Sequence, residues 1–286
     1  MSQRRREYRY DHLTWPEINE AVKDGCIVIL PVGATEQHGP HLPLDVDHRL
    51  SYSICAEVAR RSEGSILVMP PVCYGYCHHV MDFPGTINIQ MENFINYCLD
   101  ITKSVAYHGF KKIVIVNGHG SNEPLVQLIA RKTILLTDAV CAGFSWWHCA
   151  NKAFSAVRES ELGGCAHACE LETSVYLHLN PDLVKRELIR DELASNLKDE
   201  ETREWYALDL AYSAPTSPIP WTSTYTDSGV IGRPTLASAE KGKVAFEAAV
   251  NEILRFCAWF RKWELPARKD HHAVPPTMDL PFTAGF

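Results

Sequence analysis

Six side chains that often bind metal ions lie within sixteen residues, in the segment GATEQHGPHLPLDVDH at positions 33–48. They are Glu36, His38, His41, Asp45, Asp47 and His48. Imidazole suits zinc, iron and manganese alike, and the two oxygens of a carboxylate can bridge two cations. Such a mixture of ligands is what a two-metal hydrolytic site requires.

Two further segments carry residues of the same types. His119 lies between two glycines in NGHGSN, at the end of the apolar run KIVIVNG, and glycines there let the backbone approach a ligand closely. The segment AHACELETS at 166–174 adds His167, Glu170 and Glu172. Polar loops rich in such residues are often only solvated turns. From the spacing alone, a metal site and a solvated surface therefore both remain open.

The elements that would position these residues alternate between strands and helices along the chain. This alternation is typical of an α/β domain with a mainly parallel sheet flanked by helices. Ligands of such sheets bind beyond the carboxyl ends of the strands, so the loops that follow two of the strands would bring Glu36, His38, Asp47 and His119 together. The predicted strands are 26–32, 65–72, 112–117 and 140–147, and the predicted helices are about 48–62, 91–108, 122–137, 168–180 and 238–263.

The remaining segments suggest one domain and a tail. Residues 195–235 are polar and rich in proline and serine, which predicts mostly loop. We predict a single domain over 1–264 and a Pro-rich C-terminal tail over 265–286, which is either a wrapping arm or disordered.

Composition narrows the class of protein and its surroundings. The net charge is −7, and no basic stripe is present, so nucleic acid is not an expected partner. No apolar run is long enough to span a bilayer, and the N-terminus lacks the apolar stretch of a signal peptide. Ten cysteines without a CxxC pair predict reduced thiols, so we expect a cytoplasmic protein with no membrane contact.

Five motifs in this order resemble the creatininase (creatinine amidohydrolase) family over about residues 12–255. They are LPVGATEQHGPHLPLDVD, FPGTI, VNGHGSN, HACELETS and SGVIGRPTLASAEKG. The resemblance implies a single three-layer α/β domain, a homohexamer, and two divalent metal ions per chain, which would be zinc, manganese or iron. It also implies hydrolysis of a small molecule, since members of the family open cyclic amides or remove formyl groups.

The resemblance also assigns roles to single residues. It implies that Glu36, His38, Asp47 and His119 are metal ligands, with Asp47 bridging the two ions. It places His167 near the reacting atoms, as the catalytic proton carrier or as a partner of the oxyanion.

Two departures from creatininase matter for the site. The loop of the fourth ligand supplies a glutamate two residues later in creatininase, but Ser121 stands there in this chain. Relatives with a glycine-rich loop carry a glutamate that corresponds to Glu170, so we expect Glu170 to be the fifth ligand and Glu123 to cap the following helix. Creatininase also closes on creatinine with two tryptophans. Trp147 matches the first, but Gly163 replaces the second, so creatinine itself is not favoured.

Substrate contact is predicted for His79 and Trp147, because the loop that carries His79 borders the substrate in relatives. The expected activity is a metal-dependent hydrolysis of a small cyclic amide, a formamide or a related carbonyl compound. An alternative is cleavage of a ring C–C bond in a cyclic diketo-inositol. A non-catalytic protein that binds metal or sugar is a rival hypothesis, but it predicts a lost ligand or proton carrier, and all candidate positions are filled.

Overall fold

The central sheet of the computed structural model has four parallel strands in the order β2-β1-β3-β4. The structure describes residues 7–196 and 218–274, together with positions 202, 205, 206, 208–212, 215 and 216. The strands are β1 (Ile27–Val32), β2 (Ile66–Val68), β3 (Lys112–Asn117) and β4 (Val140–Ser145). A small antiparallel sheet pairs β5 (Cys165–His167) with β6 (Ile231–Gly232). The predicted strand at 65–72 is shorter than expected, because Pro70 and Pro71 have no N–H to donate to a neighbouring strand.

Seven α-helices accompany the strands in the described chain. The five predicted helices are present, and two helices were not predicted. The first of these, α1, begins with a capping box in which Thr14 and Glu17 are paired. The other, α5, starts where the predicted strand 140–147 was expected to continue. The helices are α1 (Trp15–Lys23), α2 (Val46–Arg61), α3 (Met91–Tyr107), α4 (Glu123–Leu136), α5 (Trp146–Phe154), α6 (Glu170–Leu179) and α7 (Ala239–Phe260).

Helices cover both faces of the central sheet. Side chains alternate along a strand, so Ile27 and Ile29 of β1 join the core formed with α2, α5, α6 and α7, whereas Val28 and Leu30 join the core formed with α1, α3 and α4. A strand that is buried on both faces is apolar throughout, which explains the run CIVILPV. The expected three-layer α/β architecture is confirmed.

The strand register aligns the carboxyl ends of the central strands. Val32 pairs with Asn117, and Asn117 pairs with Ser145. The loops that leave β1, β3 and β4 therefore start at the same edge of the sheet.

The predicted tail, 265–286, is described only as far as residue 274, and its last part lies outside the described residues. Residues 265–274 are exposed throughout. The division into a domain and a tail stays a prediction. No helix in the described ranges combines the length and the apolar character needed to cross a bilayer.

Candidate metal centre

Four of the predicted ligands meet at the edge of the sheet where β1 and β3 end. Glu36 and His38 lie in the loop after β1, Asp47 lies in the first turn of α2, and His119 follows β3. All four side chains are almost completely buried. The parallel sheet thus brings residues from distant parts of the sequence into one group.

A glycine after β3 lets α2 come close enough to deliver Asp47. A Cβ atom at Gly118 would lie 2.1 Å from the backbone oxygen of Asp47. Any side chain at this position would push the first turn of α2 away from the loop that carries His119. Gly118 therefore sets the distance between these two parts of the centre.

The Asp47 carboxylate lies between two imidazoles. Its Oδ1 is 3.1 Å from Nε2 of His38, and its Oδ2 is 3.2 Å from Nδ1 of His119. Glu36 also contacts His119, because its Oε2 is 2.6 Å from Nδ1 of that ring. Each oxygen of Asp47 thus faces a different histidine, as a bridging carboxylate between two ions would.

The outer nitrogen of each imidazole is occupied by a backbone carbonyl. Nδ1 of His38 is 3.1 Å from the carbonyl oxygen of Glu36, and Nε2 of His119 is 3.1 Å from the carbonyl oxygen of Tyr76. A carbonyl can only accept, so in each ring the hydrogen sits on the outer nitrogen. The inner nitrogen, which faces the carboxylates, is therefore the one that a metal ion would bind, as is usual for metal-binding histidines.

Three buried atoms of the group lack a hydrogen-bond partner: Glu36 Oε2, His38 Nε2 and Asp47 Oδ2. Their charged neighbours are close, but none of them forms a hydrogen bond with these atoms. A buried polar atom without a partner costs about 1–3 kcal/mol, so several in one place need an explanation. Divalent cations supply one, because they would take up these converging lone pairs. The donor set of carboxylates and imidazoles therefore fits the two ions that the sequence predicts.

Charge in the centre is distributed as paired cations and anions. Burial alone would lower the pKa of the His38 and His119 imidazoles, but the carboxylates of Asp47 and Glu36 beside them raise both pKa values well above the usual range. Burial opposes ionisation of Asp47, yet the two imidazoles hold its pKa below the usual range. Without metal, protons therefore occupy the imidazoles, and a metal ion must displace them.

The two glutamates at the start of α6 have different surroundings. Glu172 lies beside the group, with its Oε1 at 3.8 Å from Nε2 of His38. Glu170 points away and accepts hydrogen bonds from Nζ of Lys241 at 2.5 Å and from the backbone of Ser160 at 2.9 Å. Residues two apart on a helix do not share a face, so α6 can present only one of the two glutamates to the metal centre. Glu172 therefore lies where a fifth ligand would be needed, whereas Glu170 does not.

Glu123 makes its contacts outside the centre. It lies in the first turn of α4, where it accepts hydrogen bonds from Ser145 Oγ at 3.0 Å and pairs with His148 Nε2 at 3.0 Å. An acidic side chain is favourable at a helix N-terminus.

His167 lies on β5, before α6 begins. Its Nε2 is 3.6 Å from Oε1 of Glu36, and its ring centroid is 4.3 Å from that of His38. It therefore borders the ligand group. One nitrogen of His167 could also join His38 and Glu172 around a single ion, so the predicted proton carrier and a ligand role are both compatible with its position.

The two predicted substrate contacts have different surroundings. His79 lies beside the centre: its Nε2 is 3.4 Å from Oγ of Ser121, and its ring is 6.3 Å from that of His119. Burial lowers the pKa of His79 to about 4, so its imidazole is neutral near pH 7. Trp147 is 3% exposed and belongs to the core beside Trp146. Substrate binding by both residues stays a prediction.

Two residues near the centre were not singled out from the sequence. Cys77 Sγ lies 3.6 Å from Nε2 of His119, behind the nitrogen that faces the carboxylates, and burial raises the pKa of this thiol. Gln37 contacts His167 through its side chain and its backbone. The sequence feature that could have pointed to them is their position. Gln37 lies between two predicted ligands, and Cys77 precedes two histidines.

The family follows from the whole chain rather than from the centre alone. The sequence model of the creatininase family, described as creatinine amidohydrolase, matches residues 11–257. This chain belongs to the creatininase family. Its family membership makes it a hydrolase of the amidohydrolase type, and the expected family assignment is confirmed.

Among family members, the chain is similar to proteins with different activities. It is 32% identical to a mycofactocin precursor peptide peptidase of Mycobacterium ulcerans, with 86% of each chain covered. It is 30% identical to a 3-dehydro-scyllo-inosose hydrolase of Thermotoga maritima, with 85% of this chain and 80% of the relative covered. A crystal structure of creatininase superposes with a TM-score of 0.74 at 27% identity, over 91% of this chain and 100% of that one. Creatininase structures of similar likeness include a manganese form and a zinc form.

Proposed function

We propose that this creatininase-family hydrolase uses two divalent ions per chain to cleave a small cyclic amide, a formamide or a related carbonyl substrate. The main support for this proposal is the position of Asp47, because each of its two carboxylate oxygens faces a different buried imidazole. Zinc, manganese and iron all suit this donor set.

Two sets of ligands share Asp47 in this proposal. Glu36, His119 and Asp47 would hold one ion, while His38, Glu172 and Asp47 would hold the other. Such ions, when bound, acidify a water molecule and polarise a substrate carbonyl.

The other residues of the centre position and protonate the substrate. The nitrogen that leaves an amide is a poor anion and must receive a proton, and His167 borders the ligand group where it can donate one. His79 is neutral near pH 7, so it can share a hydrogen bond with a substrate without adding charge to the centre.

Metal content and hydrolysis test this function together. Elemental analysis of the purified protein should give close to two divalent ions per chain. The metal-loaded protein should hydrolyse at least one member of a panel that contains lactams, formamides, a keto-inositol and a short peptide. The last two follow the named activities of relatives. Well under one ion per chain, or no hydrolysis across the panel with both ions bound, would refute the proposal.

We further infer that the chain is a cytoplasmic homohexamer. The family resemblance supports the hexamer. None of the ten cysteines, all of which are among the described residues, forms a disulfide, as is usual in a reducing compartment. Light scattering should give six times the chain mass of 32.2 kDa.

A further inference from the structure

Gln37 connects the motif SGVIGRPT to the candidate centre. The proposed function gives Gln37 no role. Gln37 is 6% exposed. Its Oε1 accepts a hydrogen bond from the backbone N–H of Gly39 at 2.8 Å, and its Nε2 donates to the backbone oxygen of Gly229 at 3.1 Å. These two partners fix which end of the amide is oxygen and which is nitrogen.

The second hydrogen of this amide is available to His167. Nε2 of His167 lies 3.0 Å from Nε2 of Gln37 and 2.8 Å from the backbone oxygen of the same residue. One residue thus offers a donor and an acceptor to a single imidazole nitrogen. Without hydrogen, that nitrogen accepts from the amide; with hydrogen, it donates to the carbonyl. The ring keeps its place in either tautomer.

This nitrogen also faces the ligand group, since it lies 3.6 Å from Oε1 of Glu36. We propose that Gln37 is the positioning residue of His167: its amide holds the imidazole toward the reacting atoms, and Gly229 holds the amide. The inference rests on the proposed role of His167 as proton carrier.

Gly229 leaves the space that the amide fills. Its φ is +80°, a left-handed conformation that favours glycine, and a Cβ atom there would lie 2.0 Å from Oε1 and 2.5 Å from Cδ of Gln37. A side chain at 229 would therefore displace the amide. The first glycine of SGVIG acts on His167 through Gln37.

A double-mutant cycle tests the proposal with Gln37→Met, which keeps the volume of the side chain and removes the amide. Gln37→Met should lower kcat by about 10- to 100-fold, the size of effect expected for a small misplacement of a catalytic group. KM and metal content should be unchanged. Combined with His167→Ala, it should add no further loss, because Gln37 acts through His167. Additive losses, or loss of metal from Gln37→Met alone, would overturn the proposal.

A chemical readout does not depend on turnover. The side chain of His167 is 16% exposed, so diethyl pyrocarbonate can reach it, and peptide mass spectrometry can follow its acylation. Acylation should be faster in Gln37→Met, where the amide no longer holds Nε2 of His167. An unchanged rate of acylation would overturn the proposal that Gln37 positions His167. If His167→Ala hydrolyses substrate as fast as the wild type, His167 is not the proton carrier. The contact between Gln37 and His167 then has no catalytic role, whatever the acylation rate.

Two glycine variants separate displacement of the amide from backbone strain. Gly229→Ala should reproduce the kcat loss of Gln37→Met. Gly25→Ala is the matched control: its φ is +64°, it precedes β1 at the opposite edge of the sheet, and the nearest atom to a Cβ there is 3.9 Å away, on Arg261. Gly25→Ala should keep the wild-type kcat. Equal kcat values for the two variants would overturn the role of Gly229.

Discussion

The two sides of the candidate metal centre are held by different kinds of structure. Glu36, His38 and His119 follow long central strands that are buried on both faces. His167 lies on β5, a three-residue strand that, within the described ranges, pairs with the two-residue strand β6. The predicted ligands are therefore fixed by the main core of the protein, whereas the predicted proton carrier depends on local side-chain contacts. Changes at the first side should alter metal content, and changes at the second should alter turnover with the metal retained.

The largest expected effect is loss of both ions on Asp47→Ala, because this carboxylate faces both imidazoles. Elemental analysis should show almost no metal, and hydrolysis should fall by at least ~100-fold, the upper end for disturbed metal shells. Asp45→Asn is the matched control, since Asp45 pairs with Tyr176 and Arg49 outside the centre. Loss of a single ion from Asp47→Ala would show that Asp47 does not bridge.

His167→Ala tests the other side of the comparison. We expect kcat to fall by about 10²–10⁴-fold, which is the usual contribution of a positioned acid, while both ions stay bound. Steady-state kinetics and elemental analysis on the same sample decide the matter. If metal is lost together with activity, His167 is a ligand and both sides of the centre share one role.

The two glutamates of α6 sharpen the comparison within one helix. Glu172→Gln should weaken metal binding and activity by about 10-fold, because it removes a charged ligand beside His38. Glu170→Gln should keep both ions but lower the free energy of unfolding by about 1–3 kcal/mol, because Lys241 loses a buried anionic partner. Metal titration and denaturant unfolding of the two variants measure both effects. The reverse ranking would return the fifth ligand to Glu170.

The smallest effect is the pH dependence of metal binding. The pKa values of His38 and His119 are raised in the metal-free protein, so these imidazoles stay protonated to higher pH than usual. Metal binding requires their neutral form, so affinity should rise with pH through the neutral range and protons should be released on binding. Calorimetric titrations in two buffers with different ionisation enthalpies count these protons. Equal heats in both buffers would contradict the prediction.

The side of the centre that follows the central strands could largely be predicted from the sequence, because parallel sheets follow general rules. Apolar strands followed by ligand-rich loops predict that Glu36, His38, Asp47 and His119 meet at the carboxyl edge, and the structure brings them together. The fifth ligand is harder to predict, because the choice between Glu170 and Glu172 depends on helix phase. A shift of two residues turns a side chain about 200° around the axis, and the sequence does not show which glutamate faces His38.

The contact between Gln37 and His167 was outside the reach of sequence patterns. It joins two segments that are distant along the chain, and neither periodicity nor local motif records such a pair. Helix α5 was missed for a related reason: the apolar run VCAGFSWW continues from β4 into the helix without a break in hydrophobicity.

The close approach of α2 to the loop after β3, which Gly118 permits, has a consequence for the order of folding. Glu36, His38 and Asp47 come from one short stretch of chain that can form with β1 and α2, but His119 arrives only when β3 has docked beside β1. Until then the segment 33–48 lacks one predicted ligand, and binding an ion costs it the conformational entropy of ordering its loop. Stable metal loading is thus coupled to completion of the central sheet, and a peptide of residues 33–48 alone would bind metal far more weakly than the folded chain.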